Sequence, residues 1–462
     1  MIDRFDLGHP RRIHVLNAGG AGMSALATVL AEMGHRVTGS DANETVFIEP
    51  LRQMSVEVEV SSSRTPLDPA IEALAVSTAT PLDHPDVIEA SRRGVPVLTR
   101  ADLLGVISTH RTSLVVSGTH GKTTTSAMLA SALDHAGTDP SYLVGARVTS
   151  LGRNAAWRSG DLFVVEGDES DATFLGLQTS IGVVTNIEPD HLEFWGSFDG
   201  LIAGFEQFVD QADHALVCAD DPVAADIARR LGAMTYGTDD AADFRVHSPR
   251  TDRLDSTATV THPGGDVEIR LTGSPGMHNL RNATATLGCG LLAGVDADAM
   301  AAGLASYRGV ARRFEPRGQA AGVTFVDSYD HLPTEVRSAL AAARLGDWPR
   351  VVCVFQPHRF SRTEALAAEF GEVFSDADLV VLTEIYSAGE APRPGITGRL
   401  LVDAVASADP TRDVRWQPSL DDVTAFLVSE LRPGDLCLTL GAGDLTTVPS
   451  RVMEALEQGS SR

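Results

Sequence analysis

The chain has 462 residues, 43% hydrophobic and 21% charged, with a formal net charge of −25. The length exceeds one ordinary core and points to roughly two to four domains, and the composition is that of a soluble globular protein. So acidic a surface repels nucleic acid and anionic membranes, and no apolar run approaches the roughly 20 residues needed to cross a bilayer, which excludes nucleic-acid partners and membrane insertion.

The first region is expected over residues 1–107. Met1-Ile2-Asp3-Arg4-Phe5-Asp6 has no basic stretch followed by an apolar one, so no signal peptide is read. A strand over 12–17 leads into the glycine-rich turn Asn17-Ala18-Gly19-Gly20-Ala21-Gly22, an apolar helix from Met23 to Met33, and a strand ending at Ser40-Asp41. This is a βαβ unit of dinucleotide-binding type. Asn17 stands where the fingerprint has its first glycine, and asparagine adopts positive φ at modest cost. A pyrophosphate is expected at the helix start near Gly22, carried by NAD or by a UDP-sugar. Short strands near 56–60, 73–77 and 95–98 and a helix from Arg100 to Ile107 complete the region.

The second region, 108–314, opens with a strand over 112–117 that runs into Gly118-Thr119-His120-Gly121-Lys122-Thr123-Thr124 and a helix to Ala136. Backbone N–H groups in such a loop cradle phosphate oxygens, and the helix end adds about half a positive charge. Lys122 is expected to bridge the β- and γ-phosphates of ATP, and the Thr123 hydroxyl to ligate Mg²⁺. Val116 replaces a glycine of the full Walker spacing, so the loop is a shortened variant. Lys122 is also the only lysine among 37 basic residues. Arginine serves wherever a cation solvates a surface, but a slim ammonium reaches between phosphates where a planar guanidinium fits poorly.

A strand over 162–165 ends in Glu166-Gly167-Asp168-Glu169-Ser170-Asp171, four carboxylates in six residues, a density that a hard cation explains. Another strand ends in Thr185-Asn186-Ile187-Glu188-Pro189-Asp190-His191, where His191 is either a second metal ligand or a surface histidine. The strand ends bearing Thr123, Glu166 and His191 converge if these strands lie side by side. Residues 243–272 alternate apolar and polar around Pro263-Gly264-Gly265 and read as antiparallel strands, followed by a helix from His278 to Ala293. The third region, 315–462, alternates strands (323–327, 351–355, 379–384, 436–440) with helices (333–344, 363–374), a third α/β domain. The tail from Gln458 is expected to fray. Cys218, Cys289, Cys353 and Cys437 form no C-x-x-C pair, as in a reduced cytoplasmic protein.

Together these motifs resemble the Mur ligase family, over essentially the whole chain. The resemblance is carried by Gly118–Thr124, Glu166, Thr185–His191, His278-Asn279-Leu280-Arg281-Asn282 and Asp327-Ser328-Tyr329. It is carried also by Gly19-Gly20-Ala21-Gly22-Met23-Ser24, by residues 355–363 and by residues 386–392, which look most like the alanine-adding members. Later-step members use a carbamylated lysine near the metal, and this chain has no second lysine to carbamylate. The resemblance implies an α/β fold of three domains: Rossmann-like, P-loop ATPase-like with added antiparallel strands, and Rossmann-like again.

It implies an ATP- and Mg²⁺-dependent ligase that joins L-alanine to the carboxylate of UDP-N-acetylmuramate through an acyl phosphate, in peptidoglycan precursor synthesis. A related ligase with another acceptor, or a catalytically weakened nucleotide-binding paralogue, is the alternative. Lys122, Glu166 and His191 would be catalytic, with the metal on Thr123, Glu166 and His191. Asn279 and Asn282 would read adenine, and Arg313 and Asp327 would bind phosphate and ribose. Gly19, Gly22, Met23, Ser24 and Asp41 would hold the UDP-sugar. Tyr329, His331, His358, Arg359 and Arg362 would bind the amino acid. Asp330 and Leu332 depart from the family's D-[DS]-Y-[AG]-H-H-P-T-E. Whether the chain is a monomer or a dimer is left open, and hinges are expected near Ile107-Ser108 and Phe314-Glu315 because three domains serve one reaction.

Overall fold

The computed structural model describes residues 5–61, 66–77 and 80–460, which form three sheets. The first contains β1 (Arg12–Leu16), β2 (Arg36–Asp41), β3 (Glu57–Val60), β4 (Ala73–Val76) and β5 (Val97–Thr99). They run parallel in the order β3-β2-β1-β4-β5, so strand order reverses beside β1 and opens a crevice at the carboxyl ends. Ile13 and Val15 pack in the core with Leu26, Val29 and Leu30 of the helix Ala21–Glu32.

The second sheet comprises β6 (Thr112–Ser117), β7 (Ser141–Val148), β8 (Arg153–Ala156), β9 (Leu162–Glu166), β10 (Ile181–Val184), β11 (His214–Cys218), β12 (Met234–Gly237), β13 (Phe244–Asp252), β14 (Asp255–His262) and β15 (Gly265–Leu271). Their order is β15-β14-β13-β12-β11-β10-β6-β9-β7-β8. Leu114, Val115 and Val116 of β6 are all fully buried, as expected of a parallel strand covered on both faces. β13, β14 and β15 follow one another through tight turns, which only antiparallel neighbours permit. Along β14 and β15 burial alternates residue by residue, as the sequence pattern predicts.

The third sheet holds β16 (Glu315–Ala320), β17 (Val323–Ser328), β18 (Arg350–Phe355), β19 (Leu379–Leu382), β20 (Val414–Trp416) and β21 (Asp435–Leu440), in the order β16-β17-β21-β18-β19-β20. Only the β16–β17 pair is antiparallel. The helix Val448–Ser460 carries through Gln458, where fraying was expected; Ser461 and Arg462 lie outside the described residues. β7, β8, β12, β16 and β20 escape the sequence reading: Gly145 interrupts the apolar run of β7, β16 has no such run, β8 and β12 are four residues long and β20 is three.

The chain divides into two compact units. One takes the chain to His247 with Thr259–Ile269 and Arg281–Tyr307; the other takes Ser248–Ala258, Arg270–Leu280 and the chain from Arg308. The first unit contains both the first sheet and most of the second, with a continuous core between them. Glu32, closing the helix over β1, accepts hydrogen bonds from Arg153 Nη2 and the Trp157 amide, both at 2.6 Å. At the expected hinge, Ile107-Ser108, the chain is tightly packed in this structure. Both residues are fully buried, Ser113 Oγ donates to Ser108 O at 2.7 Å, and the Gln178 amide donates to Ser108 Oγ at 2.9 Å.

Candidate active site

β10, β6 and β9 are parallel neighbours with Val184 beside Ser117 and Val116 beside Glu166, so their carboxyl ends open at one level. This is the side-by-side arrangement on which convergence depends. From β6 the chain turns through Gly118 at φ 132° and Gly121 at φ 81° into the helix Lys122–His135. A Cβ on Gly118 would lie 2.0 Å from Thr185 Oγ1, so no other residue fits there. No side chain caps the helix and no acid lies in its first turn, which leaves the positive helix end open to an anion.

The segment after β10 clamps this loop. The Thr119 amide donates to Asn186 O at 3.0 Å and the His120 amide to Asn186 Oδ1 at 2.8 Å. Thr185 Oγ1 and Asn186 Nδ2 both donate to His120 O, at 2.5 and 3.0 Å. Two of the loop amides expected to cradle phosphate are therefore already paired, and the helix end supplies the remaining donors. The sequence motif contains Thr185 and Asn186 but does not by itself show that they clamp the loop. Their position at the end of a strand was the available signal.

Lys122 Nζ donates to Gly118 O (2.6 Å), Thr119 O (3.2 Å) and Glu169 Oε1 (2.8 Å). Burial pulls the ammonium toward neutrality, but the carboxylates of Glu169, Glu166 and Asp168 outweigh it and hold Lys122 charged above its ordinary range. Of the four carboxylates after β9, Glu169 is thus the lysine's partner, a role sequence reasoning missed.

Thr123 Oγ1 donates to Glu166 Oε1 at 2.8 Å, and the Gly145 amide donates to Glu166 Oε2 at 2.7 Å. A Cβ on Gly145 would lie 2.7 Å from that oxygen, which accounts for the glycine inside β7. Oxygens about 2.0–2.1 Å from an octahedral Mg²⁺ stand roughly 2.9 Å apart at adjacent positions, so the Thr123–Glu166 pair suits two neighbouring ligands of that ion. His191 is turned at φ 52°, with Nε2 3.5 Å from Asp190 Oδ2 and Nδ1 3.9 Å from Glu193 Oε1. Among the described residues no three His, Cys, Asp or Glu side chains gather as a metal site. Asn282 stands over the loop, its Oδ1 3.0 Å from where a Gly121 Cβ would be.

In the first sheet Asn17 adopts φ 58°, as the fingerprint requires. Asp41 Oδ2 accepts from the Gly19 amide at 2.9 Å, so Asp41 holds the turn itself. Met23 packs in the core, and Ser24 Oγ donates within its helix to Ala21 O at 3.0 Å, so both face inward. Arg100 packs over Gly22, where a Cβ would lie 3.2 Å from Arg100 Nε.

The second unit holds the remaining candidates. Asn279 Nδ2 donates to Pro275 O at 2.8 Å. Asp327 is buried and accepts from Thr439 Oγ1 and Thr446 Oγ1, both at 2.7 Å. Arg313 lies over the Tyr329 ring at 5.4 Å, and its Nη1 is 4.0 Å from Glu335 Oε1. Arg312 donates to Gly441 O at 2.6 Å and Gly443 O at 3.0 Å, fixing the loop after β21.

Rings of Tyr329, His331, His358 and Tyr386 form a ladder, with centroids 5.4, 5.3 and 5.9 Å apart in turn. Arg362 Nη1 lies 3.0 Å from His358 Nδ1. Burial, then His331, Arg362 and Arg359, push His358 down to about 4, so near neutral pH it accepts a hydrogen bond from Arg362 and carries no charge. Arg359 sits at φ 67° with its amide on Tyr386 O at 2.9 Å, and Ser361 Oγ donates to Glu390 Oε1 at 2.5 Å. The segments 355–363 and 386–392 are thereby brought together, and Tyr386 joins the site unforeseen.

Three family models match successive parts of the chain: the Mur ligase family catalytic domain over residues 12–112, the Mur ligase middle domain over 116–290, and the Mur ligase glutamate ligase domain over 312–443. The UDP-N-acetylmuramate–L-alanine ligase of Nitratidesulfovibrio vulgaris is 40% identical over 451 residues, covering 96% of this chain and 98% of that protein. The same-named protein of Kineococcus radiotolerans is 41% identical over 458 residues, covering 97% and 96%. The crystal structure of UDP-N-acetylmuramate-alanine ligase MurC from Thermotoga maritima superposes with a TM-score of 0.81 at 27% identity, covering 98% of this chain and all of that one. With identity at this level over nearly the full length of both chains, and with three family models matching successive parts of it, the chain belongs to the Mur ligase family.

Proposed function

We propose that this chain joins L-alanine to the carboxylate of UDP-N-acetylmuramate at the expense of ATP, a step in peptidoglycan precursor synthesis, in the cytoplasm. The observation that carries this reading is the convergence of Lys122, Thr123 and Glu166 at adjacent strand ends. The names of the relatives supply the acceptor and the amino acid.

In the first step a muramyl carboxylate oxygen bonds to the γ-phosphorus and the bond to ADP breaks. Two anions must approach, so cationic groups lower the barrier: Lys122 on the phosphates, aided by the N-terminus of Lys122–His135. Mg²⁺ held by Thr123 and Glu166, with His191 as the further ligand the motif names, would neutralise phosphate charge. In the second step the alanine amine bonds to the acyl carbon, phosphate leaves, and the nitrogen loses its proton.

Asn279 and Asn282 read adenine in this scheme, while Arg313 and Asp327 serve phosphate and ribose. The turn at Gly19 and Gly22, braced by Asp41 and backed by Met23 and Ser24, takes the UDP-sugar pyrophosphate at the uncapped end of its helix. Arg362 and Arg359 pair with the amino-acid carboxylate, and neutral His358, with His331 and Tyr329, orients them. Incubation with ATP, Mg²⁺, UDP-N-acetylmuramate and L-alanine tests the reading: the expected result is the UDP-N-acetylmuramoyl-alanine conjugate by mass spectrometry with matching phosphate release. Phosphate release with another amino acid and none with alanine would sink it.

A further inference from the structure

The lone lysine raises a question of donors. An ammonium has three N–H groups, and in this structure Gly118 O, Thr119 O and Glu169 Oε1 take all of them. A phosphate oxygen can bind Lys122 only if one of these partners gives way. Glu169 is the costliest to release. Its side chain is 2% exposed, and its other oxygen, Oε2, has no hydrogen-bond partner among the described residues. Without Lys122 the carboxylate would remain buried, beside Asp168, with no counter-charge. Stranding one member of a buried ion pair costs far more than releasing a neutral carbonyl.

Glu169 is also firmly seated. Its carbonyl accepts from Trp195 Nε1 at 2.9 Å, and the Trp195 ring packs edge-on to Phe174 in the core of the unit.

We propose that Glu169 is a positioning residue for phosphoryl transfer: it stays bonded to Lys122 when the nucleotide enters and aims the ammonium at the phosphates, while the Gly118 and Thr119 carbonyls yield. The proposal rests on reading Gly118–Thr124 as the ATP site. It assigns one of the four clustered carboxylates to the lysine and leaves Glu166 for the Thr123 side.

The test compares wild type, Glu169→Gln and Glu169→Asp, varying each substrate in turn in a phosphate-release assay and measuring ADP binding without acceptor. For Glu169→Gln we expect kcat to fall on the order of 10²-fold and the KM for ATP to rise. The KM values for UDP-sugar and alanine should hold within about 3-fold, a split that a merely structural defect would not give. Glu169→Asp, which keeps the charge on a shorter arm, should recover part of kcat. Tighter ADP binding with kcat retained in Glu169→Gln would show that the carboxylate only competes with phosphate, overturning the proposal. A parallel rise in all three KM values would overturn it as well. If Glu169→Gln fails to fold, Glu169→Asp decides alone: a reduced kcat with a raised KM for ATP supports the assignment, and wild-type kinetics refute it. ADP binding by wild type without conjugate formation would sink the alanine reading while leaving Glu169 testable through ADP affinity.

Discussion

Two glycine-rich turns in the first unit begin alike and end differently. Each leads from a buried parallel strand into a helix whose N-terminus no side chain caps. The turn after β1 is braced from the next strand of its own sheet, by Asp41 on the Gly19 amide, and its helix buries Met23 and Leu26 in the core. The turn after β6 is clamped from two strands at once, by Thr185 and Asn186 after β10 and by Glu169 after β9, and carries a cation inside it. The same local pattern therefore makes a turn braced from one side in one place and a closely held turn around a cation, the proposed phosphate site, in the other. What separates them is the pair of neighbours that sheet order supplies.

Removing the cation should break the contrast most completely. Lys122→Ala is expected to abolish phosphate release, a loss above about 10³-fold, and Lys122→Arg to lose at least about 10²-fold, because a planar fork cannot take the place of a point donor held by three acceptors. Wild-type-like turnover in Lys122→Arg would refute the reading of the lone lysine.

Matched glycine substitutions sharpen the contrast. Gly118→Ala places a methyl 2.0 Å from Thr185 Oγ1 at φ 132°, whereas Gly20→Ala meets nothing nearer than Asn17 O at 3.5 Å, at φ −78°. In the same assay kcat/KM for ATP should fall about 10²-fold in Gly118→Ala, and Gly20→Ala should stay within about 3-fold of wild type. Equal effects would mean that the second clamp does not distinguish the turns. Asp41→Asn removes a charged brace from the first turn only. The KM for UDP-N-acetylmuramate should rise about 10-fold with the KM for ATP unchanged, in keeping with the loss of one hydrogen bond to a charged group.

The smallest effect lies outside both turns and serves as their control. His358 is held at about 4 against an ordinary 6.5, by burial and by the positive fields of His331, Arg362 and Arg359, with Glu390 opposing. The unfolded chain therefore binds the extra proton between those values. The stability this group contributes is complete above about 6.5 and drains away as pH falls toward about 4. His331, lowered mainly by burial, acts in the same direction. Denaturant midpoints should drop between pH 7 and 5, and the drop should be shallower in His358→Gln. An unchanged slope would mean that the imidazole is not held neutral.

What could be read in the sequence was set by short-range physics. Strands appeared as buried Val-Ile-Leu runs such as Leu114-Val115-Val116, and turns as glycines ahead of helices. The lone lysine marked the loop proposed to hold phosphate, because an ammonium reaches there where a guanidinium fits poorly. The alternation in β14 and β15 was legible for the same reason, since a pleated strand sorts its side chains by neighbours in sequence. The order of strands was not legible, and with it went every role that depends on a neighbouring strand. Four carboxylates after β9 look alike along the chain. Only the fold turns Glu166 to Thr123 and Glu169 to Lys122, and makes Gly145 necessary beside them. Asn186 likewise acquires its role only because β10 lies against β6, and Ser108 accepts hydrogen bonds from Ser113 and Gln178. Hydrogen-bond partners and burial across strands are long-range consequences of packing, and no local pattern encodes which of several equivalent side chains will be within 3 Å of a given amine.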